Sequence, residues 1–256
     1  MADFDVICFQ EVADNFPALQ GNDDRDQFAL LSQLLPGYQR IEGYGVDLGA
    51  GSGRRRRFGN AIFSRYGVLS ARRHALPWPA DPGKPSMPRV AVEATLQAPL
   101  GPLRLTTTHL EYYSEVQRRA QARQLRDLHV EACQRARAAS LHAGEANKTF
   151  DSTPQTSLAI LAGDFNFPPE HRAHEEIRQD ACDGSPAYRD AWAHLHGHRP
   201  HIPTFCVHSQ AHSKTPYCCD FVFVSAELAP RVRRLEVDSA TQASDHQPVL
   251  MELDDR

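Results

Sequence analysis

Apolar and polar positions along this chain predict many short strands and few helices. Residues 4–10, FDVICFQ, form a short apolar, β-rich run ending in polar Gln10 and Glu11, the pattern of a buried strand. Residues 24–35 place Phe28, Leu31 and Leu35 at helical spacing, and the following Pro-Gly stops the helix. FGNAIFSR (58–65) and GVLSARRHAL (67–76) predict a hairpin. RVAVEATLQA (89–98) and LRLTTTHLE (103–111) predict a second, turned at APLGP. Five prolines between 75 and 88 predict a surface loop. From Ser114 to Ala139 the pattern becomes helical, with Val116, Ala120, Leu125, Leu128 and Ala132 on one face. Residues 140–157, small and polar, predict a flexible connection. A buried strand over 158–162, a helix over 170–180, and strands over 219–225, 231–239 and 247–253 complete the pattern. Hairpins with few intervening helices argue for mixed or antiparallel sheets covered by helices.

Composition narrows the classes. At 256 residues the chain can bury a large core. No apolar stretch is long enough to span a bilayer, and MADFDVICFQEV lacks the basic and apolar regions of a secretory signal. A cytoplasmic chain without an obligate protein partner is the expectation. No compositional break divides it, so residues 1–256 are expected to form a single domain. The six cysteines lack paired CxxC spacing and predict reduced core thiols rather than a zinc site. A net charge of −4 argues against a globally basic nucleic-acid binder, leaving one local patch, Arg54–Arg57, behind the glycine-rich GAGSG. It reads either as a solvated charged loop or as a mobile loop that seeks phosphate.

Several strand ends share a chemistry. Glu11 ends the first strand and His109 ends LRLTTTH. Asp164 and Asn166 follow LAILAG, Asp220 sits in CDFVFVS, and Asp245 and His246 precede the last strand. Singly, each is an ordinary turn or surface residue. Together the carboxylates and amide are hard oxygen ligands that suit Mg²⁺, and no thiolate or imidazole cluster favours zinc. A histidine beside such a metal can meet developing phosphate charge or move a proton, and a neighbouring Asp can fix its tautomer.

The segments ICFQEV, GNAIFSR, TTTHLE, LAGDFN, CDFVFVS and ASDHQPV, in that order, resemble the endonuclease/exonuclease/phosphatase superfamily, the deoxyribonuclease I-like fold, over nearly the whole chain. The resemblance implies a four-layer α/β sandwich: two mixed, largely antiparallel β-sheets packed face to face, with helices outside. It implies Mg²⁺, with Mn²⁺ as an alternative, held by Glu11 and Asp245. Asp164 would activate or orient the attacking water. Asn166 would hold a phosphate oxygen, His246 would contact the scissile phosphate, Asp220 would orient His246, and His109 would be a second phosphate contact.

Further candidates follow from position. Arg118 and Gln121 lie early in the helix after His109, Arg89 opens a strand, and Asn60 starts another. Asn60 and Arg118 are taken as substrate-binding residues, while Trp192 is expected to pack in the core. His109 stands where apurinic endonucleases carry Tyr, which points to the branches with two histidines. Members of the superfamily also begin with a strand ending in Asn, some thirty or more residues before QE. Here QE is already at 10–11, so that strand and its Asn are absent from the sequence. In the superfamily it lies between the QE and SDH strands; without it, residues 4–10 and 247–253 are expected to present unpaired edges. The expected activity is a metal-dependent phosphoesterase, with nucleic-acid ends or a phosphodiester as first substrate class. A lipid headgroup or small phosphate ester is the alternative, and a non-catalytic binding member of the fold is a third reading.

Overall fold

A computed structural model describes residues 4–17, 19, 24–51, 53–141, 154–209 and 211–255. The core is a six-stranded mixed sheet in the order β4-β5-β6-β7-β9-β8. Its strands are β4 (Val68–Ala75), β5 (Val90–Ala98), β6 (Gly101–His109), β7 (Ala159–Asp164), β8 (Tyr188–Asp190) and β9 (Asp220–Ser225). Among the described residues only the β6–β7 pair is parallel; its crossover includes the long helix α2 (Glu115–Leu141). The expected hairpin at residues 89–111 forms, with Ala98 opposite Gly101. Every β5 residue except Gln97 is buried, because both faces of this central strand are covered.

The facing layer is divided. β1 (Val6–Asp14), β3 (Arg55–Ser64) and β2 (Gln39–Gly49) form one antiparallel sheet in the order β1-β3-β2, and β10 (Val232–Val237) and β11 (Val249–Leu253) form another. Thus the second layer is two antiparallel pieces rather than one mixed sheet. One edge of β1 and one of β11 have no strand partner among the described residues. Ile41, Ile62, Val92, Leu96, Val222 and Leu235 pack between the layers. Phe165, Phe167, Phe221 and Phe223 pack with Leu125 and Ile177 beneath α2 and α3 (Arg172–Arg178). Phe28 of α1 (Gln27–Leu34) covers Val12 and Phe63 on the opposite outside. These layers make the four-layer sandwich. No helix among the described residues is long and apolar enough to cross a membrane.

Three expectations change. β3 and β4 are not a hairpin: Arg65–Gly67 carries the chain from one sheet to the other, so β3 pairs with β1 and β2, and β4 with β5. The buried face of α2 is rotated from the expected stripe. Val116 is 55 % exposed, whereas Gln117 and Gln121 are buried and donate to the carbonyls of Pro79 and Pro77. These bonds satisfy polar groups of the proline loop that would otherwise be orphaned. The Arg54–Arg57 run is not a free loop, since Arg55–Arg57 lie in the β2–β3 ladder and both Arg55 and Arg57 pair with Asp47. The expected connection at 140–157 falls largely outside the described residues. Trp192 packs in the core as expected, and four of the six free cysteines are buried.

Candidate active site

The site forms where strands of both layers end together. A register shift between Phe9 and Val12 bulges β1, and Glu11 there adopts φ +57°. An L-residue is costly in this left-handed region, and such bulges re-aim side chains. Across the cleft, Gly163 has φ +145°, and a Cβ there would lie 2.0 Å from the Thr108 carbonyl oxygen. Only glycine lets β7 approach β6 this closely, which sets Asp164 beside His109. Asp164 Oδ1 accepts the Asn166 N–H at 2.8 Å, closing a tight turn with Asn166 at φ +54°.

Side-chain contacts link five residues across the cleft. Glu11 Oε1 lies 3.7 Å from His109 Nδ1, and His109 Nε2 lies 3.3 Å from Asp164 Oδ2. Asp164 Oδ2 is 3.7 Å from His246 Nε2, and His246 Nδ1 donates to Asp220 Oδ2 at 2.8 Å. Asp245 is exposed beside His246, and its charge acts on Glu11. Glu11, His109, Asp164, Asn166, Asp220, Asp245 and His246 are therefore brought to one cleft.

Burial and neighbours divide the protonation states. Burial, reinforced by the Asp220 carboxylate, pushes the Asp164 carboxyl up to about 7. Burial opposes protonation of His246, but the Asp220 hydrogen bond and the surrounding carboxylates outweigh it and raise His246 to about 9. Burial and the nearby Arg89 charge hold His109 well below its ordinary value, so it is neutral. Asn166 Nδ2 donates to His109 Nε2 at 2.9 Å, leaving the ring proton on Nδ1.

The geometry changes the role of four expected residues. His109 is only 4 % exposed and both ring nitrogens are shielded, so it sits beneath the cleft surface instead of touching phosphate directly. Both N–H bonds of the Asn166 amide are committed, one to His109 and one to the Leu110 carbonyl, so neither points to a phosphate oxygen. Asn60 is buried and donates to the Val90 carbonyl, tying the two layers together rather than lining the site. Arg118 donates to the Glu111 and Tyr112 carbonyls and holds the loop after β6. Gln121 accepts the Glu111 N–H, and Arg89 pairs with Glu111 at 3.4 Å.

Sequence reasoning missed Thr204 and Cys219. Buried Thr204 donates to Asp220 Oδ2 at 2.6 Å and accepts the Cys219 and Asp220 N–H groups. Cys219 Sγ also donates to Asp220 Oδ2, at 3.5 Å. Thr204 reads from sequence as a loop residue, and Cys219, although it opens CDFVFVS, reads as a core thiol in an apolar run.

The carboxylate excess is the observation that bears on a metal. Burial raises the Glu11 carboxyl, the His246 and Arg89 charges oppose that rise and the Asp245 charge adds to it, and burial raises Asp164, to which the Asp220 and Glu11 charges add. Hard oxygen donors with unbalanced charge fit Mg²⁺ or Mn²⁺.

A profile of the Endonuclease/Exonuclease/phosphatase family matches residues 1–246. No curated protein matches the sequence. Among solved structures, a mannosyl-6-phosphatase from Bacteroides thetaiotaomicron is similar at 21% identity and TM-score 0.59, covering 98% of this chain and 85% of its own. A humanised D. rerio TDP2 is 20% identical with TM-score 0.57, covering 96% of this chain and 84% of its own. A Neisseria 3' phosphatase bound to a DNA hairpin is 17% identical with TM-score 0.55, covering 98% of this chain and 89% of its own.

Proposed function

The chain belongs to the Endonuclease/Exonuclease/phosphatase family of phosphoric ester hydrolases, and we propose that it hydrolyses a phosphodiester, with nucleic-acid ends as the substrate class, using a divalent cation. The observation that carries this reading is the side-chain chain Glu11–His109–Asp164–His246–Asp220.

In this reading Glu11 and Asp245 hold Mg²⁺, with Mn²⁺ as the alternative; when bound, the ion supplies positive charge to the phosphate oxygens. Asp164, as carboxylate, orients the attacking water and takes its proton. His246, as imidazolium, meets the charge that gathers on the phosphate in the transition state. Asp220 fixes the His246 tautomer, and Thr204 fixes Asp220. His109 and Asn166 act as positioning residues behind Asp164 and Glu11.

These protonation states set a pH profile. The rate falls below about 7 as Asp164 takes a proton and falls above about 9 as His246 loses one. The two groups are 3.7 Å apart, so the limbs belong to the pair. A bound cation favours the Asp164 carboxylate and moves the acid limb lower. Initial rates from pH 5 to 10 at two metal concentrations, spanning the model-peptide carboxylate-to-amine range roughly, check this. An acid limb that ignores metal contradicts it.

Two surface features support a nucleic-acid end over a small ester. Exposed Tyr112 and Tyr113 meet edge to face at 4.8 Å directly after the His109 loop and offer ring faces to a base. Arg57 pairs across β1 with Asp14, about 10 Å along the strand from Glu11. Exposed Arg56 and half-exposed Arg57 can therefore follow a backbone leaving the cleft. Replacing Arg54–Arg57 by Ser is expected to weaken oligonucleotide binding and flatten its salt dependence, while turnover of bis-(p-nitrophenyl) phosphate changes less than about twofold. Equal loss on both substrates would make the run structural. A panel of oligonucleotides, bis-(p-nitrophenyl) phosphate and sugar phosphates tests the substrate class. Turnover confined to monoesters would overturn it.

A further inference from the structure

On the other side of Asp220 lies a second cluster that the proposed hydrolysis does not use. His174 of α3, Asp190 at the end of β8, and His201 in the loop before Thr204 converge. His174 Nε2 and His201 Nε2 each lie 2.8 Å from the same oxygen, Asp190 Oδ2. The other carboxylate oxygen accepts the Trp192 N–H at 2.8 Å and the Ala193 N–H at 3.3 Å, as N-cap of α4 (Ala191–His196). Asp190 is thereby fixed in orientation, as a supported metal ligand is. We propose that His174, Asp190 and His201 form a transition-metal site of the zinc type, separate from the hydrolytic cation.

The donor set and its surroundings argue for this ion class. Two imidazoles and one carboxylate suit Zn²⁺ and disfavour Mg²⁺. The three residues lie on separate elements, which is why the sequence showed no imidazole cluster. Asp190 and His201 also line a partly open cleft with Thr204, Cys218 and Asp220.

Tetrahedral zinc with bonds near 2.0 Å sets its ligand atoms roughly 3.3 Å apart. The cluster must therefore open by about 0.5 Å from its hydrogen-bonded spacing. Binding at Nε2 moves each ring proton to Nδ1. In His174 that atom is buried without a partner, and the ring lies among Phe221 and Phe223. An N–H there gains only weak contacts with the rings, which sets the affinity below that of a fully supported zinc centre. A metal here would also pin His201, three residues before the Thr204 that holds Asp220.

Cobalt(II) tests the site directly. Full-length protein carrying Glu11→Gln and His246→Asn, which weakens the hydrolytic centre as a competing site, is freed of metal and titrated with Co²⁺. The expected result is one equivalent bound with visible bands of tetrahedral type, displaced by Zn²⁺ and not by millimolar Mg²⁺. Adding His201→Gln keeps a donor for Asp190 and is expected to weaken Co²⁺ binding at least about tenfold. If that variant loses its fold by circular dichroism, Co²⁺ broadening of histidine ring resonances in the parent variant identifies the ligands unchanged. No tetrahedral Co²⁺ spectrum, a spectrum retained in folded His201→Gln, or broadening that spares His174 and His201 would overturn the site.

Discussion

Asp164→Asn is expected to lower kcat by about 10³–10⁴, with the fold intact. Asp164 is the group on which both sides of the cleft converge, 3.3 Å from His109 and 3.7 Å from His246. Asn preserves the turn, because its side-chain oxygen can still accept the Asn166 N–H that Oδ1 accepts now. What it removes is the proton acceptor for the attacking water. Because burial and Asp220 raise the carboxyl to about 7, that acceptor is a stronger base than an ordinary Asp, and an amide has no equivalent. The loss should appear in kcat with little change in KM, and the acid limb of the pH profile should vanish. Rates on bis-(p-nitrophenyl) phosphate, with circular dichroism as the folding control, decide it. A variant within about tenfold of the parent, well short of a general-base loss, would remove Asp164 from the proton transfer.

Asp220→Asn acts through His246 and is expected to cost about 10²–10³ while leaving metal affinity nearly intact. The Asp220 hydrogen bond is the main influence raising His246, against the burial that lowers it. The amide cannot sustain the imidazolium, so the alkaline limb should move down from about 9 toward neutrality. Thr204 and Cys219 would then donate to an amide instead of a carboxylate, which leaves the local packing but not the charge. A rate loss without movement of the alkaline limb would mean that Asp220 is structural only.

The parts of this molecule legible in its sequence are those where local pattern and tertiary role agree. The β5–β6 hairpin has alternation and a Pro-containing turn, and it forms. The chemistry at strand ends was legible because carboxylates and histidines there interrupt apolar runs. The β3–β4 connection misled because three residues are a good hairpin length, while placing the two strands in opposite layers is a tertiary choice. β2 escaped notice because QRIEGYGVDLG lacks an apolar run; it is a sheet edge with little to bury. The burial of Gln117 and Gln121 was not legible, since the proline-loop carbonyls they meet are remote in sequence. His109 and Asn166 lie together at the cleft, but their direction depends on hydrogen bonds to each other and to Leu110, which residue type does not encode.

The central claim is that Glu11 holds a cation with which Asp164 and His246 hydrolyse a phosphodiester. It is tested most directly by the Mg²⁺ dependence of bis-(p-nitrophenyl) phosphate hydrolysis in the parent and in Glu11→Gln, each first treated with EDTA. The account predicts that EDTA abolishes the rate, that Mg²⁺ restores it, and that Glu11→Gln shifts the half-saturating Mg²⁺ upward by about tenfold or more. Hydrolysis that persists in EDTA, or superimposable Mg²⁺ curves for the two proteins, would contradict it.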